Sequence, residues 1–324
     1  MADVVVVGPG GVGGFLAAML AAGGLEVAVV GRGAHADAIE RDGLRLDDPQ
    51  RPELLAAGQR VAVARSLGEA PPADVVVLAV KHSSLPVVSR ELPTWLAAAG
   101  DQAVALAVQN GVSHLDGALP AAAPGRLLVG SVYIFSHVEE PGLVRCLGGP
   151  RLYRFGPLDA GDPALLPRAE AIAARWKAAG LNAAADPDGR RVAWDKLCLL
   201  APLSGLTALT GRTVGELRDQ PQAMRTYQAI AEEVRGVAVA QGVPVDAAVA
   251  ANAIRTIRAT DPAGRSSLYR DMEAGRESEA EVLLGDPLRR AETAGVDAPA
   301  LRAVYAATLA RYGLSEAVVG PGAP

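Results

Sequence analysis

The first half of the chain contains short apolar runs, several of which end in glycine or in a polar residue. Four consecutive valines at residues 4–7 precede a glycine-rich turn, and residues 15–22 are then typical of an apolar helix that Gly23 ends. Short unbroken apolar runs are typical of strands buried on both faces of a parallel sheet. The same pattern predicts further strands at residues 25–31, 75–80, 103–108 and 127–134.

The pattern changes near residue 186, where the polar, turn-rich stretch ADPDGRR follows the predicted strands and a helical pattern begins. Four apolar residues of this second part recur at the spacing of one helix face: Tyr227, Ile230, Val234 and Val237. Strands that alternate with helices in the first part predict βαβ units. We therefore predict an α/β protein, with an N-terminal Rossmann-type doubly wound sheet domain over residues 1–187 and an all-helical C-terminal domain over residues 188–324.

Composition restricts the classes of partner and of site. The chain has 324 residues and a net charge of −5, and without a basic stripe we predict no nucleic-acid partner. The two cysteines, Cys146 and Cys198, are too few for a disulfide framework or a thiolate zinc site. None of His82, His114 and His137 has a metal-ligand companion at a useful spacing, so no metal is predicted. No basic segment precedes the valines, and glycines interrupt the apolar start. We therefore expect no signal peptide, no membrane span and a cytoplasmic protein.

A glycine pattern, G-x-G-x-x-G, stands between the first predicted strand and the first predicted helix. In this context the first glycine permits a tight turn, the second lets a pyrophosphate approach the backbone, and the third lets helix and strand pack closely. The alternative is a glycine-rich turn that packs but binds nothing. The flanking elements favour a dinucleotide site, whose predicted cofactor-binding residues are Gly8, Pro9, Gly10, Gly11, Val12 and Gly13.

The end of the second predicted strand indicates which dinucleotide is bound. NAD-selective sites usually have Asp or Glu near this position, where the carboxylate accepts a hydrogen bond from the ribose 2′-hydroxyl. Here the strand ends in VVGRG, and Arg32 occupies that position. A guanidinium matches a 2′-phosphate in charge and geometry, so the sequence favours NADP(H) over NAD. The alternative is that Arg32 is a solvated loop residue.

Polar residues follow two predicted strands, at ends that face the ligand crevice in such sheets: Lys81 in VVVLAVKHSSL and Asn110 in LAVQNGV. Together with GPGGVG, these motifs resemble those of the ketopantoate reductase family. The resemblance covers nearly the whole chain, through EPGLVRCLGG, AWDKLCLLAPLSGLTALTG at residues 193–211 and SSLYRDMEAGRESEAEVLLG at residues 266–285. It implies a two-domain, NADPH-dependent oxidoreductase of pantothenate biosynthesis, which reduces the 2-keto acid 2-dehydropantoate to the 2-hydroxy acid.

The resemblance also implies roles for individual residues. Lys196 corresponds to the family's catalytic lysine, the general acid, and Asn110 to the asparagine that orients substrate beside the nicotinamide. Glu279 corresponds to the acidic residue needed for substrate binding and catalysis, and Ser267 to a serine that binds substrate. Lys81 corresponds to a lysine in the cofactor cleft. Members occur as monomers and as dimers, so the implied partners are a small 2-keto acid and, in the dimeric case, a second copy of this chain.

The surroundings of Lys196 support its role independently of the resemblance. Hydride delivery to a ketone carbon leaves negative charge on the oxygen, which a nearby ammonium can stabilise and protonate. The apolar run LCLLAPL follows Lys196, so we expect a desolvated lysine with a lowered pKa. The alternatives are a lysine whose ammonium reaches the surface and one paired with Asp195.

Glu279 is predicted to lie on a helix that runs from Leu268. Its neighbours on the same helix face are apolar: Met272, Val282 and Leu283. A carboxylate at such a position needs a partner. One alternative is Arg276, three residues earlier. We prefer the other, in which the carboxylate faces Lys196 or a substrate hydroxyl.

Two positions depart from the family. Enzymes of the pantothenate pathway carry asparagines four and eight residues after the lysine, where this chain has Leu200 and Ser204. A site that loses such hydrogen-bonding groups loses discrimination for a hydroxylated substrate. We therefore predict that Leu200 and Ser204 contact the substrate, which is either 2-dehydropantoate or a related, less polar 2-oxo acid. The remaining alternatives are an opine- or imine-type oxidoreductase and a regulatory protein that senses NADP(H) without chemistry.

Overall fold

The computed structural model describes residues 2–56 and 58–314. It comprises two compact units, the first made of Met1–Gln109 and His114–Val192, and the second of Asn110–Ser113 and Ala193–Pro324. The predicted boundary at residue 187 marks a change in sequence character and stays a prediction. Residues 315–324 of the predicted helical domain lie outside the described residues.

The described part of the first unit is built on a nine-stranded sheet. The strands are β1 (Ala2–Val7), β2 (Val27–Val30), β3 (Arg45–Asp47), β4 (Ala62–Ala64), β5 (Ala73–Leu78), β6 (Val104–Ala107), β7 (Leu127–Glu140), β8 (Leu143–Pro157) and β9 (Asn182–Ala185). Their order is β3-β8-β7-β6-β5-β1-β2-β4, and β9 pairs with β8. All pairs are parallel except β7 with β8.

The order of the strands creates a switch point between β1 and β5. Strands β2 and β4 lie on one side of β1, and β5, β6 and β7 lie on the other; β3, which comes between β2 and β4 in the chain, lies at the far edge beside β8. In register, Val4 pairs with Val27 of β2 on one side and with Val75 of β5 on the other, so β1 is central. Ligands of open α/β sheets bind at the carboxyl ends of the strands beside such a point. The α/β class predicted from sequence is confirmed.

In the described residues of the first unit, the sheet is accompanied by the α-helices α1 (Gly11–Ala22), α2 (Gly33–Asp42), α3 (Glu53–Ala56), α4 (Leu85–Ala99), α5 (Ala118–Ala122) and α6 (Leu165–Ala178). Helix α1 begins at Gly11, four residues before the predicted start, because the glycine loop leads directly into its first turn. Phe15, Leu16 and Leu20 of α1 are fully buried. A helix that is apolar on all sides is typically buried, and the burial of these side chains stabilises the packing of α1 in the first unit.

The five predicted strands correspond to β1, β2, β5, β6 and β7, whereas four strands escaped sequence analysis. Strands β3 and β4 have three residues each, too few to show a period. Strand β8 contains Gly148, Gly149 and Pro150, which weaken a strand prediction. Its pairing with β7 along most of its length supplies the hydrogen bonds that override this local preference.

The second unit, as described, is helical. Its elements are α7 (Gly189–Thr210, whose first four residues belong to the first unit), α8 (Val214–Arg218), α9 (Pro221–Ala240), α10 (Val249–Ala259), α11 (Ser267–Glu273), a π-helical turn (Glu281–Gly285), α12 (Asp286–Ala294) and α13 (Pro299–Arg311). The predicted stripe from Tyr227 to Val237 lies on α9 and is fully buried, as expected. Among the described helices, α7 is long and apolar enough to cross a membrane, but 78% of its apolar window is buried, as in a core helix.

One predicted helix is wrong. Glu279 does not lie on a helix that runs from Leu268, because α11 ends at Glu273. Gly275 follows with φ +61°, a left-handed conformation that ends an α-helix and suits glycine. Residues 276–279 are not helical, and the chain resumes in the π-helical turn Glu281–Gly285. Glu279 therefore lies in a half-buried loop directly before an irregular turn, a type of structure that often occurs at functional sites.

Candidate functional site

The glycine loop lies at the carboxyl end of β1, where the strand order reverses. Gly8 has φ +90°, and a Cβ there would lie 2.8 Å from the side chain of Val80. A Cβ at Gly13 would overlap the carbonyl oxygen of Gly8, so this glycine is required for the close packing of helix on loop. Gly10 differs, because a Cβ at this position would meet nothing within 4 Å. Protein packing thus leaves the backbone open at the glycine that was predicted to approach a pyrophosphate.

Helix α1 begins beside this open position. Its N-cap, Gly10, provides no side-chain hydrogen bond to the first turn. The amide groups of that turn and the positive end of the helix dipole favour an anion. The local geometry of the loop therefore fits a dinucleotide pyrophosphate.

A cleft of about 330 Å³ adjoins the loop within the first unit. The residues that matter for its chemistry are Gly8, Pro9, Gly10, Arg32, His35 and Arg65. Three of these residues, Arg32, His35 and Arg65, follow strands β2 and β4, whose carboxyl ends meet at the same edge of the sheet as that of β1. Charged groups and bare backbone are thus brought together on the side where the fold class binds nucleotides.

The guanidinium of Arg32 is oriented by the backbone. Its Nε donates a hydrogen bond of 2.9 Å to the carbonyl oxygen of Arg65, and its two terminal nitrogens make no hydrogen bond with any described residue. Arg65 itself is paired with Asp37 at 3.0 Å and with Glu40 at 2.5 Å. The nearby carboxylates are therefore engaged, and the free face of the Arg32 guanidinium is available to an anion.

In the second unit, the structure brings together the three residues that were predicted to be catalytic, Lys196, Asn110 and Glu279. Lys196 Nζ, on α7, donates a hydrogen bond of 2.7 Å to Asn110 Oδ1. Asn110 Nδ2 in turn donates to Glu279 Oε2 at 3.1 Å. The amide of Asn110 therefore presents its oxygen to the cation and its nitrogen to the carboxylate, which satisfies both groups in a single orientation. Arg276, the alternative partner of Glu279, is instead paired with Asp271.

Burial changes the acidity of Lys196. Only 8% of the residue is exposed, and burial lowers the pKa of its ammonium to about 8, against a smaller opposing effect of the negative charge on Glu279. A charged group removed from water is destabilised unless it is paired. The lysine therefore stays charged near neutral pH, but gives up its proton more readily than a lysine in water does.

The remaining predicted residues occupy different environments. Leu200 and Ser204 lie on α7, one and two turns after Lys196, and are half-buried and buried respectively. Ser267 is exposed at the start of α11, and its side chain makes no hydrogen bond among the described residues. The buried hydroxyl is that of Ser266, which caps α11 and shares a 2.6 Å hydrogen bond with Thr207. Lys81 is exposed in the segment that follows β5. The predicted roles of these residues stay predictions.

Sequence analysis missed three residues of these surroundings. Gln109, next to Asn110 in the chain, donates to the carbonyl oxygens of Leu78 at 2.8 Å and Val80 at 3.2 Å, which ties the ends of β5 and β6 together. Arg65 and His35 line the cleft beside the glycine loop. Gln109 and Arg65 follow parallel strands closely, which is the signal that identified Lys81 and Asn110. Strand β4 was too short to be recognised, and Arg65 was missed with it.

A buried carboxylate supports the turn that follows Glu279. Glu281 is 8% exposed, and its Oε2 accepts a hydrogen bond of 2.6 Å from the hydroxyl of Tyr305 on α13. Arg289 forms an ion pair with the same carboxylate. A Cβ at Gly285 would overlap Glu281 Oε2, so the π-helical turn closes tightly over this group. On the other side of the turn, the side chain of Val282 packs against Gly111, next to Asn110.

We expect Tyr305→Phe to lower the free energy of unfolding by about 1.5–3 kcal/mol, because the substitution removes a hydrogen bond to a buried carboxylate. Urea denaturation, followed by circular dichroism, measures the change. Tyr312→Phe is the matched control, since the hydroxyl of Tyr312 donates to Glu273 near the surface. Equal effects of the two substitutions would contradict a special contribution from the pair of Tyr305 and Glu281.

A Rossmann-type sheet with a glycine loop after its first strand, followed by a helical unit that carries a buried lysine, defines a class of nucleotide-dependent oxidoreductases. Comparison with known sequences agrees. Residues 4–160 match the family described as Ketopantoate reductase PanE/ApbA, and residues 188–311 match Ketopantoate reductase PanE/ApbA C terminal. The chain belongs to the ketopantoate reductase family.

Individual relatives are similar over nearly their whole length. A 2-dehydropantoate 2-reductase of Halobacterium salinarum is 29% identical over 301 residues, which cover 92% of this chain and 95% of the relative. The crystal structure of a PanE/ApbA family ketopantoate reductase from Ralstonia eutropha JMP134 has a TM-score of 0.81 at 28% identity, over 96% of this chain and 98% of that one. The protein is therefore an oxidoreductase of this family, with the helical C-terminal unit that was predicted.

The fold is also shared with D-mandelate dehydrogenase. A structure of that enzyme with NADH and anilino(oxo)acetate has a TM-score of 0.83 at 21% identity, over 96% of this chain and 98% of the other. A protein of this fold thus binds a nicotinamide cofactor.

Proposed function

We propose that the protein reduces a 2-keto acid to the 2-hydroxy acid with NADPH. The substrate is either 2-dehydropantoate or a related, less polar 2-oxo acid. The observation that carries the proposal is the hydrogen-bonded chain of Lys196, Asn110 and Glu279, in which a buried ammonium donates to the amide oxygen of Asn110. Family membership supports the reaction class.

Lys196 acts as the general acid in this proposal. A reduced nicotinamide, when bound, would supply the hydride that the keto carbon accepts. The ammonium of Lys196 stabilises the negative charge that grows on the carbonyl oxygen and donates a proton to it. Its pKa of about 8 suits this task near neutral pH, because the group is largely protonated and still releases the proton readily. The hydrogen bond to Asn110 orients Nζ before substrate arrives.

The other residues bind and select the substrate. Glu279 Oε2 accepts a hydrogen bond from Asn110 Nδ2, and the remaining lone pairs of the carboxylate accept a hydrogen bond from the substrate. Ser267 binds the substrate carboxylate. Leu200 offers an apolar surface at the position where pathway enzymes have an amide, and Ser204 offers only a short hydroxyl. An alkyl or aryl 2-oxo acid therefore loses less hydration here than a hydroxylated one.

The glycine loop and Arg32 bind NADPH in this proposal. The open backbone at Gly10 and the first turn of α1 hold the pyrophosphate. The terminal nitrogens of Arg32 hold the 2′-phosphate, a role supported by the lack of any hydrogen bond from them to the residues that the structure describes. Lys81 lies after β5, beside the switch point, and contributes a further positive charge.

We expect Arg32→Ser to weaken the binding of NADPH about 30-fold and to leave the binding of NADH nearly unchanged, because only NADPH carries the 2′-phosphate. Titration with each cofactor, followed by protein fluorescence, measures both dissociation constants. Arg41→Ser is the control, since Arg41 lies on α2, the helix that follows Arg32, and pairs only with its neighbour Asp42 among the described residues. Equal losses for the two cofactors would show that Arg32 does not select the phosphate.

The reaction is tested by following NADPH absorbance with a panel of 2-keto acids that includes 2-dehydropantoate and aliphatic and aromatic members. We expect turnover of several and the highest kcat/KM for a less polar one. A strong preference for 2-dehydropantoate would refute the less polar substrate and place the enzyme in pantothenate biosynthesis. Cofactor binding without oxidation on any substrate would favour a sensor of NADP(H).

The proposal also includes a cytoplasmic enzyme whose binding partner is the small-molecule substrate. The two cysteines, Cys146 and Cys198, are buried and not joined by a disulfide, which fits a reducing compartment. Whether two copies of the chain associate is a question for sedimentation of the purified protein.

A further inference from the structure

His35 joins the glycine loop to a distant turn of the same unit. It lies on α2, three residues after Arg32, and its ring is half-buried beside the cleft. The ring nitrogen Nε2 lies 2.8 Å from the carbonyl oxygen of Pro9. The other nitrogen, Nδ1, accepts a hydrogen bond of 3.0 Å from the backbone N–H of Gly142.

These two contacts determine the protonation of the ring. A backbone N–H can only donate, so Nδ1 must present its lone pair to Gly142 and carries no proton. A carbonyl oxygen can only accept, so Nε2 must carry the proton that is donated to Pro9. The two contacts are satisfied together only by the neutral imidazole with its proton on Nε2.

The two groups that His35 joins are far apart in sequence. Pro9 is 26 residues before it, between the first two glycines of the loop. Gly142 is 107 residues after it, in the turn between β7 and β8. That turn also packs closely against α2 at Ala38. A Cβ at Gly142, where φ is +82°, would lie only 3.1 Å from the Cβ of Ala38. His35 and Ala38 lie one helical turn apart and contact the turn from the same face of α2.

The carbonyl of Pro9 belongs to the segment whose conformation determines where the amides at the start of α1 point. Pro9 cannot donate a backbone hydrogen bond, and the neighbouring Gly10 has no protein group within 4 Å of a Cβ position. The bond from His35 therefore holds the loop on one side while the other side stays open.

We propose that His35 is a positioning residue for the cofactor. In this role the neutral ring, protonated on Nε2, anchors the peptide of Pro9 to the β7–β8 turn and so preorganises the glycine loop for the pyrophosphate. The inference rests on the proposed function, in that the ligand of the loop is a nicotinamide dinucleotide. It adds a residue that does not touch the reacting atoms and acts through the loop.

The tautomer is tested directly on the wild-type protein. Long-range proton–nitrogen correlation spectra of the protein, labelled with ¹⁵N at its histidine rings, distinguish a protonated ring nitrogen from an unprotonated one. At pH 7.5 we expect the resonance of His35 Nδ1 in the unprotonated range and that of Nε2 in the protonated range. A proton on Nδ1 would overturn the proposal.

The positioning role is tested with a pair of variants. His35→Gln keeps one donor and one acceptor, whereas His35→Phe keeps a ring of similar size without either. We expect His35→Phe to raise the dissociation constant of NADPH about 10-fold and His35→Gln to restore most of the affinity. With saturating NADPH, the KM for the 2-keto acid and kcat are expected to stay within about twofold of the wild type for both variants. Arg41→Ala, on the exposed side of α2, controls for general effects on the helix.

The outcomes separate this inference from the proposed function. Wild-type affinity in His35→Phe, or equal loss of affinity in both variants, would overturn the positioning role. If His35→Phe fails to fold, His35→Gln and the tautomer measurement still decide: a large loss of NADPH affinity in His35→Gln, or a proton on Nδ1 of the wild-type ring, would each overturn the positioning role. A wild-type protein that binds NADPH but reduces no 2-keto acid would refute the proposed reaction and leave the role of His35 intact. A wild-type protein that binds neither NADPH nor NADH would overturn both.

Discussion

Replacing Lys196 with methionine is expected to lower kcat/KM for the reduction about 10²- to 10⁴-fold, the usual contribution of a positioned general acid. Methionine keeps the unbranched stem of the buried side chain and removes only the ammonium. The substitution removes a charge that burial destabilises, but it also removes the donor to Asn110 Oδ1, so its effect on stability is measured beside its effect on activity. Initial rates of NADPH oxidation at neutral pH, beside a thermal unfolding curve, measure both effects.

The pH dependence of the wild-type enzyme gives a second measure of the same group. The pKa of Lys196 is lowered to about 8 by burial, and the protonated form is the one that donates. The rate of reduction is therefore expected to be constant below this pH and to fall above it as the ammonium is lost. Lys177→Met is the control for Lys196→Met, because it makes the same substitution at an exposed lysine on α6. Turnover that survives Lys196→Met would remove this lysine from its proposed role.

Replacing Glu279 with glutamine is expected to lower kcat/KM about 100-fold, because the variant keeps the shape of the side chain but loses a charged hydrogen-bond acceptor. Glutamine can still accept from Asn110 Nδ2, so the loop is expected to keep its conformation. The negative charge of Glu279 raises the pKa of Lys196, and its removal lowers that pKa further below the value in water. The fall in rate at alkaline pH is then expected to begin at a lower pH than in the wild type.

The control for this variant is Glu292→Gln, on α12. The carboxylate of Glu292 is exposed and forms a surface ion pair with Arg302, which is expected to contribute little. An alkaline limb that stays in place in Glu279→Gln would show that this carboxylate does not act on Lys196. A limb that moves, with an unchanged KM for the 2-keto acid, would assign the role of Glu279 to the lysine rather than to substrate binding.

Elements that are continuous in sequence were predicted well. The valines of β1 and the apolar stripe on α9 are local patterns. Such patterns predict a buried strand or a buried helix face whatever the rest of the fold is, and both are buried. The glycine loop was predicted because its three glycines satisfy requirements within a few residues of one another. The helix through Glu279 was predicted wrongly, because the apolar spacing on both sides of Gly275 outweighed the breaking effect of a single glycine.

The candidate site depends on contacts between residues that are distant in sequence. Asn110 is 86 residues from Lys196 and 169 residues from Glu279, and its amide nevertheless bonds both. The resemblance to a family named these residues but did not show which atom faces which. The lowered pKa of Lys196 depends in the same way on how many atoms of the unit exclude water from it.

Sequence alone was sufficient for the α/β class and for the glycine loop that follows β1, because these follow from local backbone preferences and from periodicity. It could not reveal three hydrogen bonds: from Arg32 to the carbonyl oxygen of Arg65, from Tyr305 to the buried carboxylate of Glu281, and from the backbone of Gly142 to His35. Each of these is a hydrogen bond whose partner is chosen by the packing of separate elements. The physical reason is that an element forms from its own sequence, whereas the direction, burial and charge of a side chain depend on what the fold places around it.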